Sequence, residues 1–159
     1  MGKQANSNHK EITQDILSHP EFLKLKTLRH HKQDIYHHVY QVSVLSYKLA
    51  KTLRLDYKSA ARGGLLHDFF IYDWRKDGQI RKKKLFEKHG FTHSKQALKN
   101  ARMYFTLNKI EEDIIIKHMF PLTPQPPRYA ESWLVSLVDK YVTVSEYLVS
   151  VFKKRTDPK

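Results

Sequence analysis

Ala60-Ala61-Arg62-Gly63-Gly64-Leu65-Leu66-His67-Asp68-Phe69-Phe70 is the stretch on which the reading of this chain turns. It begins with small residues, continues through two glycines, and sets a histidine and an aspartate side by side among apolar neighbours. An ionised carboxylate in such surroundings is costly unless a cation or several donors compensate it. A metal ion is one such cation, and His and Asp are ordinary ligands for one. Two glycines lower helix stability by about 1 kcal/mol each relative to alanine. Their presence one turn before His67 points to another element pressing close at that level. The segment reads as the end of a helix over residues 57–70.

The rest of the chain is also helical in period, and no strand alternation is evident. Residues 34–53 carry His38, Val42, Leu45, Leu49 and Leu53 at helical spacing, which places His38 inward and its neighbour His37 toward solvent. Residues 11–18 and 21–29 read as two shorter helices, and 1–10 as a flexible tail. Thr92 is the expected N-cap of a helix over 93–106, on which His93, Ala97 and Ala101 share a face. Asn108 caps the next helix, where acidic residues in the first turns suit the helix dipole, and Ile110, Ile114 and His118 form one stripe. After the prolines of 121–127, a last helix over 130–152 buries Asp139 at the end of an apolar run. Residues 71–90 are the least regular part and are expected to be a loop, with at most one short helix, lying over whatever site exists. The expectation is a single all-α domain, a compact bundle of about six to seven helices.

Composition narrows the function. There is no cysteine, so thiolate metal sites, disulfides and Cys nucleophiles are excluded. No apolar run is long enough to span a bilayer, and the N-terminus lacks the apolar core of a secretory signal, so a soluble cytoplasmic protein is expected. The formal net charge of +13 points to anionic partners without choosing among nucleotides, phosphorylated metabolites, nucleic acid and acidic lipid surfaces.

Six polar residues thus fall on inward faces: His38, His67, Asp68, His93, His118 and Asp139. Each alone has a bland explanation as a satisfied core residue or a helix cap. Six groups of metal-ligand type in one small core are harder to explain that way.

In the helix around His38-Val39-Tyr40-Gln41-Val42, in the stretch ending His67-Asp68, and in Asp139 followed by Lys140, the chain resembles the HD-domain metal-dependent phosphohydrolase superfamily over residues 35–148. The resemblance implies a helical HD-domain bundle with its metal site in the core. It implies that His38, His67, Asp68 and Asp139 hold a first metal. Asp68 would bridge to a second, held by His93 and His118, the two extra histidines of two-metal members. Those members include cyclic-dinucleotide phosphodiesterases, a diadenosine tetraphosphate hydrolase group and di-iron oxygenases such as myo-inositol oxygenase. The ligand types suit Fe, Mn, Co, Ni or Zn better than Mg or Ca.

The chain departs from the pattern in two places. Ile71 stands where many phosphodiesterase members carry a lysine, and Phe69-Phe70 replace a small residue and glycine. The expected reaction is hydrolysis of a phosphoester of a nucleotide or related small molecule, by water whose pKa the metals lower. His67 and Asp68 are expected at the catalytic centre. Arg62, Arg128 and Lys140 are candidates for holding substrate phosphate, chosen for closeness in sequence to the ligands. The alternatives are a di-iron oxygenase on the same scaffold and a non-catalytic basic protein that binds nucleotides or nucleic acid.

Overall fold

A computed structural model describes residues 2–27, 29–30, 33–70 and 85–156, with side chains over 7–26, 35–70 and 93–152. The described chain is an all-helical bundle of seven α-helices: α1 (Gly2–Leu17), α2 (Pro20–Leu23), α3 (Ile35–Thr52), α4 (Tyr57–Leu66), α5 (Leu85–Tyr104), α6 (Lys109–Lys117) and α7 (Ala130–Thr156). A 3-10 turn, Lys24–Thr27, follows α2. The only β pairing among the described residues is a two-residue antiparallel ladder, Arg29–His30 against Gln33–Asp34.

The short helix α4 lies at the centre, packed against α3, α6, α7 and α1. Two apolar clusters meet on it. Leu65 and Leu66 join Ile16, Phe22, Val39, Phe69 and Ile115 on one side. Ala60 joins Val42, Ile114, Val135 and Val142 on the other. The glycines permit this packing. A Cβ on Gly63 would meet Ile114 Cδ1 at 2.6 Å, and one on Gly64 would meet Ser43 Cα at 2.9 Å. The close approach expected from sequence is therefore present on two sides, from α6 and from α3.

Local chemistry sets the helix ends. Asp56 caps α4, its Oδ1 accepting from the Lys58 and Ser59 amides, while its own amide donates to Glu131 on α7. Asn108 and Glu111 form a capping box at the start of α6, and Asn108 Nδ2 also donates to Ser59 Oγ, fixing α6 against α4. At the end of α3, Arg54 adopts φ 58°, and the Leu55 amide reaches back to the Ala50 carbonyl in a Schellman-type stop.

Several sequence expectations are corrected. The segment expected to be a flexible tail is helical from Gly2, because His9 gives α1 a buried anchor: its Nε2 donates to Ser43 Oγ at 2.8 Å, and Ser43 donates on to the Ala61 carbonyl. The second helix ends at Leu23 rather than near residue 29. On α3 the buried face is Ile35, Val39, Val42, Ser43, Ser46, Tyr47 and Ala50, while Leu49 and Leu53 are exposed. A small residue, Ser43, sits where Gly64 of α4 comes closest. Helix α4 ends at Leu66 rather than residue 70, which leaves Asp68 in a turn. Helix α5 begins at Leu85, so Thr92 lies inside it and is not an N-cap. Of the loop expected over residues 71–90, the part from 71 to 84 lies outside the described residues.

Candidate metal centre

The six residues come from five helices. His38 projects from α3, His67 and Asp68 follow the end of α4, His93 lies on α5, His118 is the C-cap of α6, and Asp139 lies on α7. They gather into two triads, His38 with His67 and Asp139, and Asp68 with His93 and His118. Within each triad one ligand atom per residue lies within 4.8 Å of the others.

The two triads are joined by Asp68. Its Oδ2 is 3.6 Å from His67 Nε2, and its Oδ1 is 3.4 Å from both His93 Nε2 and His118 Nε2. Asp139 Oδ1 lies 3.0 Å from His38 Nε2 and 3.5 Å from His67 Nε2. His93 and His118 face each other through Nε2 at 3.1 Å. With metal–ligand bonds of about 2.0–2.2 Å, donor atoms around one ion lie about 3.0–3.5 Å apart, so these separations suit shared coordination.

The proton positions fit as well. His67 Nδ1 bonds the Gly64 carbonyl at 2.8 Å, and His118 Nδ1 bonds the Ile115 carbonyl at 2.8 Å. A carbonyl only accepts, so each Nδ1 carries its hydrogen, and in the neutral ring each Nε2 presents a lone pair inward. His67 Nε2 and Asp68 Oδ1 are buried and have no hydrogen-bond partner among the described residues. Orphaned atoms of this kind call for an explanation, and a shared cation supplies one. The donor set therefore fits divalent transition-metal ions.

Electrostatics agree. Burial works against a charged His67, but Asp68 and Asp139 outweigh it and raise its pKa to about 9. Burial also opposes ionisation of Asp68 and Asp139, yet the histidines around them hold both carboxyls below the usual range. For His118 burial dominates and lowers its pKa against the pull of Asp68. The cluster is thus an anionic pocket that attracts protons or cations.

Around the triads is a supporting shell. Glu146, two turns after Asp139 on α7, sets its Oε2 3.2 Å from His38 Nδ1. Helical side chains lean toward the N-terminus, so the longer glutamate reaches back to the ring that Asp139 meets from the other side. Sequence reading missed Glu146, although its seven-residue offset from Asp139 was a usable signal. Ser136 Oγ donates to the His118 carbonyl at 2.8 Å, another contact that sequence reading missed. The bulk of Phe69 also gains a reason. Its ring is fully buried beside Phe22, Tyr104 and Phe105, and its carbonyl accepts from Asn100 Nδ2, which pins the turn that presents Asp68.

Of the three basic residues suggested for substrate phosphate, Arg62 and Lys140 are engaged in bonds within the bundle. Arg62 donates through Nε to Glu111 and through Nη1 to Asp15, a structural tie between α4, α6 and α1. Arg128 is exposed, its guanidinium 5.8 Å from the centre of the Tyr129 ring. Lys140 is half-buried, and its Nζ bonds the His118 carbonyl at 3.0 Å and Ser136 Oγ at 2.8 Å. Lys140 therefore braces a ligand helix from outside the triads. Two surface grooves between α5 and α6, about 360 and 280 Å³, are lined by Lys95, Lys99, Arg102 and Lys117 among others and include none of the six ligands. Asp68 and His93 are among the more exposed of the six, with the Phe70 ring against His93, while His67 and His118 are buried. Comparison with protein-family models, with curated proteins and with solved structures finds no match to this chain.

Proposed function

We propose that the chain is a metal-dependent phosphohydrolase of the HD-domain type, acting on a phosphoester of a nucleotide or a similarly small phosphorylated molecule. The observation that carries this reading is the Asp68 carboxylate, whose two oxygens face two separate triads of ligand type. Two divalent ions in such a site would lower the pKa of water and neutralise charge on phosphoryl oxygens. The remaining roles fall to the protein. His38, His67 and Asp139 would hold one ion and His93 and His118 the other, with Asp68 serving both. Asp68 and Asp139 accept hydrogen bonds from the attacking water and turn its lone pair toward phosphorus. The fully buried rings of His67 and His118 keep the floor of the site dry. The net charge of +13 favours an anionic substrate over a neutral one.

The test is a screen for phosphate release or diester cleavage across nucleotides, dinucleotides and sugar phosphates, with protein loaded in turn with Mn, Fe, Co, Ni and Zn. Turnover that Asp68→Ala abolishes while helix content is retained supports the hydrolase. Oxygen consumption by iron-loaded protein, without phosphate release, would support the oxygenase. The α5–α6 grooves favour one further reading. Lys95, Lys99, Lys109 and Arg128 line them beside Glu112 and Asp113, whose charges Arg102 and Lys117 already meet, which leaves an excess of positive charge as a site for a polyanion would. Salt-dependent binding of nucleic acid with no turnover would favour that reading instead.

A further inference from the structure

Helix α7 has a second face that the bundle does not use. Val135, Val138 and Val142 face the core, and Asp139 and Glu146 face His38. On the other side, Leu137, Tyr141, Val144, Leu148 and Val151 are between 37% and 65% exposed. Their spacing alternates four and three residues without a break, which is the heptad seam of a coiled coil. Leu134, half-buried, continues the pattern toward the N-terminus. No charged residue interrupts the seam from 134 to 151. A monomer rarely leaves so long an apolar stripe in water.

We infer that this face of α7 pairs with the same face of a second copy of the chain, forming a two-fold dimer. The area is sufficient. With aromatic side chains offering about 150–250 Å² each, the seam and its flanking Tyr147 and Phe152 expose on the order of 700 Å² per copy. Pairing two copies buries on the order of 1,400 Å², within the range of specific dimers. A single continuous stripe is self-complementary under two-fold symmetry, which a dissimilar partner does not require. The helix dipoles set the direction. Parallel pairing would align the two helix dipoles, whereas antiparallel pairing opposes them favourably. In the antiparallel register Leu137 lies against the partner's Leu148, and Tyr141 against the partner's Val144. This inference does not depend on the metal-site reading.

The experiment is sedimentation equilibrium of the full chain from low to high micromolar concentration, for the wild type, Tyr141→Glu, Leu148→Glu and Leu53→Glu. All three substituted positions are exposed, so helix content by circular dichroism should be unchanged. The expected result is a dimer for the wild type and for Leu53→Glu, whose site is off the seam. Tyr141→Glu and Leu148→Glu should each weaken association by about a hundredfold, because each change is present on both copies. A monomeric wild type at every concentration, or a dimer that survives both α7 substitutions, would overturn the inference.

Discussion

The backbone of Ser43 occupies the space that a side chain on Gly64 would need: a Cβ there would lie 2.9 Å from Ser43 Cα and 3.2 Å from its amide nitrogen. Backbone cannot yield as a flexible side chain can, and Ser43 is further held by His9 and by the Ala61 carbonyl. Gly64→Ala should therefore lower stability by about 1–3 kcal/mol, although alanine is the better helix former. The urea midpoint measures this. The Gly64 carbonyl also fixes the His67 ring, so metal affinity should fall with stability. A variant as stable as the wild type would show that α3 and α4 are less tightly apposed than these distances require.

Metal content should respond unequally to the six ligands. His93→Ala and His118→Ala should each reduce about two equivalents per chain to about one, as should His38→Ala. Asp68→Ala should remove nearly all, since Asp68 alone serves both triads. Elemental analysis after dialysis reads this pattern. Equal losses from His93→Ala and Asp68→Ala would mean a single shared site.

Glu146→Gln should weaken binding at the His38 triad by about 10–100-fold, the usual effect of removing the carboxylate behind a ligating histidine. The glutamine side chain still fills the space, so packing is retained while the anionic acceptor for His38 Nδ1 is lost. Competition with a chelator of known affinity reports the change. An unaltered affinity would reduce Glu146 to a packing role.

Acid should weaken the docking of α1. His9 donates through Nε2, so its Nδ1 is bare, buried and without a partner among the described residues. Burial, with Lys48 nearby, lowers its pKa to about 4. A free histidine titrates near 6.5. The unfolded chain therefore binds more protons between these values, and stability present above pH 6.5 is lost as pH falls toward 4, by about 3 kcal/mol in all. His9→Gln keeps a donor for Ser43 and cannot ionise, so its urea midpoint should decline less across that window. Identical pH profiles for the two proteins would remove His9 as the cause.

Much of the candidate site was legible in the sequence because ligands must point inward, and inward faces show as helical periodicity. His93 and His118 were assigned by stripes that burial respects, and His38 by a stripe of which Val42 is buried and Leu49 and Leu53 are not. His67 and Asp68 were assigned by their apolar setting. What stayed illegible depended on distances between elements. The leucines of α3 looked like its core face, but the helix is turned so that Ser43 meets Gly64 of α4 and Val39, Val42, Tyr47 and Ala50 are buried instead. Arg62 was chosen for its closeness in sequence to His67 and Asp68, whereas its partners Asp15 and Glu111 are 47 and 49 residues away. Lys140 failed for a similar reason: its partner is a backbone carbonyl on another helix. The first ten residues look featureless because the single buried histidine that anchors them has its partner on α3.

His38 lies between two carboxylates of one helix, Asp139 on its Nε2 side and Glu146 on its Nδ1 side. An α-helix advances about 1.5 Å and turns about 100° per residue. Inserting or deleting one residue between positions 139 and 146 would therefore swing one carboxylate away from the ring while the other stayed. That short span of α7 should tolerate exchanges of residue but no change of length, whereas the proline-containing connection from α6 to α7 can lengthen or shorten without disturbing the ring's two partners.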